Sequence, residues 1–218
     1  MKRILLLSAH PDDMEIGMGG TAAKLAKAGH SLLSVVITDG RRSPDPEGIG
    51  QDAMARLRQE EGVRACRRLG ISETNFFGHG SIISDDAVRQ ATGELVELVR
   101  NFRPDEVYAL HPELDRHASH RAAGKITVDA LSQSNSGAEL WAYEVWGLFP
   151  HWDRMEDISD QLETKLAAIR EHSSQTAAIQ YDEGIAGLNR WRAVFADPHQ
   201  ERSPARYAEV FINLGPGY

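Results

Sequence analysis

Four bulky apolar residues in a row, Ile4-Leu5-Leu6-Leu7, run through Ser8 and Ala9 into His10-Pro11-Asp12-Asp13, and this junction restricts the fold more than any other stretch. A short apolar run without polar alternation reads as a strand buried on both faces. Pro11 has no N–H to give a ladder, so the chain must turn there. Strands buried on both faces belong to sheets with helices on each side, and such sheets bind ligands beyond the carboxyl ends of their strands. The turn therefore delivers His10, Asp12 and Asp13 to the place where an open α/β sheet does its chemistry. His10 and Asp13, three residues apart, reach one face of a turn or first helical turn. Imidazole nitrogen with carboxylate oxygen is a donor set suited to zinc, and Asp12 is left free for other work.

Catalytic zinc ordinarily takes three protein ligands and leaves a fourth position to water. A second cluster can complete the set: His111-Pro112-Glu113-Leu114-Asp115-Arg116-His117-Ala118-Ser119-His120 follows the apolar segment 106–110. His117 and His120 repeat the three-residue spacing ahead of a helix-like run. A lone histidine or aspartate at a strand end is more often a cap or turn residue. Two such clusters at two strand ends together point to a site built between strands.

Strand and helix alternate along the chain. After the first strand come a helix over 19–28 ended by Gly29, a β-branched strand over 32–38, and a loop over 41–50 long enough to form a lid. Helices over 52–69 and 85–102, a strand over 107–110, a helix over about 119–131 and a strand over 141–146 follow. Helices over 159–172 and 177–195 and a strand over 208–214 close the chain. This alternation predicts an α/β fold with a Rossmann-like, mostly parallel sheet and helices on both faces, in one domain of 218 residues.

The motifs resemble the zinc-dependent deacetylases of the PIG-L or LmbE-like superfamily, nearly end to end. Ala9-His10-Pro11-Asp12-Asp13-Met14-Glu15-Ile16-Gly17-Met18-Gly19-Gly20-Thr21 is similar to that family's signature at every position. Thr38-Asp39-Gly40, Arg58-Gln59-Glu60-Glu61, Asp115 to His120 and Tyr181-Asp182-Glu183 follow in the family's order. The resemblance implies Zn2+ held by His10, Asp13 and His120, with Asp12 as general base. It implies that His117 stabilises the transition state or protonates the leaving amine, and that Arg58 and Asp39 lie near the substrate. It implies an N-acetylated amino sugar or glycoconjugate as substrate, with hydration or hydrolysis of a non-sugar metabolite as the alternative activity. One position departs: many members read His-Pro-Asp-His where this chain has His117-Ala118-Ser119-His120. A hydroxyl supports an imidazole's charge and tautomer more weakly than a carboxylate does.

Gly17-Met18-Gly19-Gly20-Thr21-Ala22 also fits G-x-G-x-x-A, with Asp39 22 residues beyond Gly17, close to a dinucleotide-binding fingerprint. That fingerprint turns on its first glycine directly at the strand end. Here residues 10–16 intervene with three carboxylates that repel a pyrophosphate, so the glycines are expected to let a helix pack closely. The net charge of −8 argues against nucleic acid and anionic membranes as partners. No stretch is long and apolar enough to span a membrane, and the N-terminal apolar run is too short for a signal peptide. The single cysteine, Cys66, fits a reducing, cytoplasmic setting and a core position between Val63 and Leu69. No oligomer interface is legible, which leaves a homo-oligomer open. The tryptophans are expected to serve packing, with Trp146 and Trp152 flanking a loop that faces the site.

Overall fold

β1 (Arg3–Ser8) lies inside the sheet, as its composition requires: Ile4, Leu5, Leu6 and Leu7 are fully buried. The chain continues through α1 (Asp13–Lys27), β2 (Ser31–Thr38), α2 (Gln51–Arg68), β3 (Glu73–His79), α3 (Asp85–Phe102), β4 (Glu106–Leu110) and α4 (Ala118–Gln133). It closes with β5 (Glu139–Tyr143), β6 (Arg154–Asp157), α5 (Leu162–Arg170), α6 (Ser173–Thr176), α7 (Tyr181–Phe195) and β7 (Ala208–Asn213). This computed structural model describes residues 1–195 and 205–215.

The seven strands lie in the order β3-β2-β1-β4-β5-β7-β6. The first five are parallel, with Leu5 of β1 between Leu33 of β2 and Val107 of β4. β7 runs antiparallel to both its neighbours, so the sheet is mostly rather than wholly parallel. α3 packs against α4 on one face, while α1, α2 and α7 gather around α5 or β7 on the other. From β1 the chain winds one way to β2 and β3, then returns to β4 on β1's other side. The carboxyl ends of β1 and β4 thus form the switch point where ligands bind in such sheets. No helix among the described residues is long and apolar enough to cross a membrane.

Six of the expected elements lie within a residue or two of β2, α2, α3, β4, α4 and β7. The first helix differs. It begins at Asp13, not at 19, and breaks at Met18 (φ −142°, ψ 19°). The expected helix is the piece after the break. The break frees the N–H groups of Gly20 and Thr21, which donate to the Glu209 carboxylate at 2.9 and 2.7 Å. Glu209 in turn pairs with the fully buried Lys165 at 2.6 Å. β5 ends at Tyr143, not at 146, because the N–H groups of Trp146 and Gly147 turn to Asp115. The helix expected over 159–172 is the shorter α5, α7 starts at Tyr181 rather than 177, and α6 lies between the two expected helices. α6 is held apart by the fully buried Glu61, which accepts from Ser173 Oγ, Ser174 N and Ser174 Oγ at 2.6–3.0 Å. Strands β3 and β6 were not expected.

The glycines of α1 do pack closely. A Cβ on Gly17 would lie 2.2 Å from Tyr143 Cδ2 and 2.5 Å from the Glu144 carbonyl oxygen. On Gly20 it would lie 2.7 Å from Ile158 Cβ. Cys66 is buried as expected, and burial together with Glu15 pushes its thiol up to about 12, far from a reactive thiolate.

Candidate active site

The turn after β1 is tightly specified. The Asp13 carboxylate accepts the backbone N–H of His10 at 2.7 Å, and Ile16 N–H donates to the Asp12 carbonyl at 3.0 Å. Asp12 itself sits at φ 131°, a strained conformation of the kind that functional sites hold in place. Its carboxylate lies 3.0 Å from Arg58, which also donates to the Pro11 carbonyl and the Ser43 hydroxyl. α2 thus reaches back over the turn and fixes its central acid.

After β4, Asp115 ties the start of α4 to the β5–β6 connection. Its carboxylate accepts N–H groups from His117 at 2.8 Å, Trp146 at 3.0 Å and Gly147 at 3.2 Å. It also lies 3.1 Å from His120 Nδ1, which turns His120 Nε2 toward the β1 turn. His120 Nε2 is 3.1 Å from Asp13 Oδ1 and 3.2 Å from His10 Nδ1. His10 Nδ1 is 3.5 Å from Asp13 Oδ2.

These separations test whether the residues fit a metal. Ligand atoms about 2.0–2.1 Å from a tetrahedral ion stand about 3.3 Å from one another. The contacts of 3.1, 3.2 and 3.5 Å among His10, Asp13 and His120 lie near that edge, with Asp13 meeting His120 through Oδ1 and His10 through Oδ2. Donor atoms of His10, His117 and His120 also gather within 4.8 Å. That set is looser, and His117 Nδ1 is engaged by Ser119 Oγ at 2.7 Å. Asp115 behind His120 is the usual partner of a ligating imidazole.

The electrostatics divide the acids. Burial alone would raise Asp13, but the His120 and His10 rings hold it well below the ordinary carboxylate range. Burial raises Asp12, Arg58 pulls against it and the Asp13 charge adds to the rise. A permanently ionised and a poised carboxylate side by side suit metal binding and proton transfer respectively. Burial, then the charges of His120 and His10, lowers His117.

The cluster forms the floor of a cavity of about 430 Å³, whose walls include Arg58, Ser43, Ile83, Trp146, Gln175 and Tyr181. His10, Asp12, Asp13, His117 and Arg58 all line it, and His120 is buried behind them. Asp39 does not line it: its carboxylate is held by Arg41 at 2.6 Å, and its neighbours Thr38 and Gly40 face the cavity instead. Trp146 lines the cavity, stacked edge-on with Tyr181 at 5.5 Å between centroids, whereas Trp152 lies under Arg192. Sequence reasoning gave no role to Asp115, although it stands inside the quoted motif. Gln175, on the distant α6, carries no local signal.

Comparison with known proteins extends this geometry. A model of the family described as PIG-L, GlcNAc-PI de-N-acetylase, matches residues 5–131. The diacetylchitobiose deacetylase of Thermococcus kodakarensis is 30% identical over 189 residues, 80% of this chain and 70% of that one. The N,N'-diacetylchitobiose deacetylase of Pyrococcus horikoshii superposes with a TM-score of 0.83 at 25% identity, over 98% of this chain and 84% of that one. The 4-carboxy-2-hydroxymuconate hydratase of Pseudomonas putida gives a TM-score of 0.82 at 22% identity, over 99% and 97% of the two chains, a likeness of fold alone.

Proposed function

The chain belongs to the PIG-L family of N-deacetylases, and from that premise we propose that it hydrolyses the acetamide of an N-acetylated amino sugar, using one Zn2+ held by His10, Asp13 and His120. The observation that carries the reading is the convergence, beside Asp12, of His10 Nδ1, His120 Nε2 and the two Asp13 carboxylate oxygens at 3.1–3.5 Å. When bound, the ion supplies Lewis acidity, which lowers the pKa of water toward about 7 and polarises the acetyl carbonyl.

Asp12 accepts the proton of the attacking water. Its raised affinity for protons and its fixed contact with Arg58 keep a base aimed at one point of the cavity. Arg58 acts on Asp12 as a positioning group, which refines the expectation of a direct substrate contact. His117, on the cavity wall, meets the oxyanion as the carbonyl carbon becomes tetrahedral. Collapse breaks the C–N bond, and the nitrogen takes up a proton as the amine leaves. Trp146 and Tyr181 offer aromatic faces for a sugar ring at the cavity wall.

An amine-release assay on a panel of N-acetylglucosaminides, with zinc-loaded and chelated protein, tests the reading. Activity that needs zinc, together with loss of zinc from His10→Ala, Asp13→Ala and His120→Ala, supports it. Full zinc content in all three variants overturns the ligand set. Zinc binding without amine release from any acetamide overturns the hydrolase, and favours addition of water to another substrate.

A further inference from the structure

The Ser119 hydroxyl lies between two rings, 2.9 Å from His10 Nε2 and 2.7 Å from His117 Nδ1. A hydroxyl carries one proton, so it can donate to only one of them. His10 decides which. Its Nδ1 faces His120 Nε2 and the Asp13 carboxylate, and in the ligand set proposed above it gives its lone pair to the ion. A neutral imidazole that does so carries its proton on Nε2. His10 Nε2–H therefore donates to Ser119 Oγ, which has a second lone pair that would also accept from His117. The spacing separates the two arrangements, since 2.9 Å to His10 is that of an N–H donor and the shorter 2.7 Å to His117 Nδ1 that of an O–H donor. The Ser119 proton thus points at His117 Nδ1. His117 must meet it with a lone pair, so its own proton sits on Nε2.

Among the described residues no carboxylate contact to the His117 ring reverses that polarity. Asp115, the acid closest in sequence, accepts the backbone N–H of His117 and engages His120 Nδ1, not the His117 ring. His117 lines the cavity and has its Nδ1 committed to Ser119, which leaves Nε2–H for a substrate.

We infer that Ser119 is a positioning residue that locks His117 in the Nε2–H tautomer, so that His117 meets the substrate as a neutral hydrogen-bond donor rather than as an acid. The inference rests on the proposed ligand set and deepens it. It assigns the proton that reaches the leaving nitrogen to Asp12. One water O–H bond breaks and its proton goes to Asp12, and the water oxygen bonds to the carbonyl carbon. The C–N bond then breaks, and the Asp12 proton goes to nitrogen.

The direct test is the nitrogen-15 spectrum of the His117 ring in labelled, zinc-loaded protein, assigned by its absence in His117→Gln. The expected spectrum has Nε2 protonated and Nδ1 bare. It should persist in Ser119→Thr, which keeps the hydroxyl, and Nδ1 should gain a proton in Ser119→Asp, where a carboxylate faces it. A protonated Nδ1 in the wild type overturns the inference. Kinetics give a second readout. Glutamine at position 117 still offers a neutral N–H, so His117→Gln should keep at least about tenfold more kcat than His117→Ala, itself expected about 10²-fold or more below wild type. Equal loss in the two variants overturns the donor role. Absence of zinc from the wild type would instead overturn the ligand set, an outcome the metal content separates from these.

Discussion

Asp12 and Asp13 are adjacent in the chain and opposite in character. Asp13 is held low by two imidazoles, while Asp12 is raised by burial in a backbone conformation of φ 131°. Asparagine tolerates positive φ better than most residues, so Asp12→Asn removes the base without disturbing the turn. Turnover should fall about 10²-fold or more with zinc retained, which steady-state rates and elemental analysis check together. Equal zinc loss from Asp12→Asn and Asp13→Ala would mean that the two acids share the metal. His120 carries a pH signature. Burial alone would lower it, but Asp13 and Asp115 raise it from 6.5 to about 10 in the metal-free protein. A raised value stabilises the fold fully below 6.5 and loses that contribution as pH climbs toward about 10. Between those limits zinc must displace the proton, so binding should release about one proton from His120. Calorimetry in buffers of differing ionisation enthalpy measures it, and buffer-independent heats would rule the displacement out.

α1 is where element and site meet. Its first piece carries Asp13, and its second is capped in mid-fold by Glu209 of β7, itself paired with Lys165 of α5. Glu209→Ala would strand a buried ammonium and two buried N–H groups. Loss of one member of such a pair costs about 3–5 kcal/mol, or roughly 2–4 °C of Tm per kcal/mol in a chain of this size. Denaturant and thermal melts check it. A loss below about 1 kcal/mol would mean that water replaces the cap. None of this was legible, because the cap comes from 189 residues away. β3 escaped for a related reason. It is an edge strand whose residues alternate between exposed and half-buried around polar side chains and Gly78, so it lacks the apolar signal. β6, Arg-Met-Glu-Asp, has only four residues and pairs with β7 alone. The acids and imidazoles of the site were legible because each cluster is local. Asp115 behind His120 and Ser119 between His10 and His117 were not, because ring orientations arise only once β1 and β4 lie side by side.

The whole sheet decides between the two chemistries that a glycine-rich first helix can serve. A dinucleotide needs its glycines at the strand end, open to a pyrophosphate. In this molecule Gly17 and Gly20 lie inside α1, covered by Tyr143 and Ile158 at distances too short for even a methyl group. The strand end itself carries Asp12 and Asp13. Both glycines bring α1 down onto the β5–β7 half of the molecule, so the fingerprint marks packing. Ligands that bind only the folded state stabilise it by mass action, by about 2.7 kcal/mol at a hundred times Kd, and so raise Tm. Zinc should therefore raise the Tm of chelated protein, because its proposed ligands come from two strand ends that unfolding separates. NAD or NADP at millimolar concentration should leave Tm unchanged. A rise with the dinucleotide, and none with zinc, would mean that this sheet holds its ligand through the glycines after all.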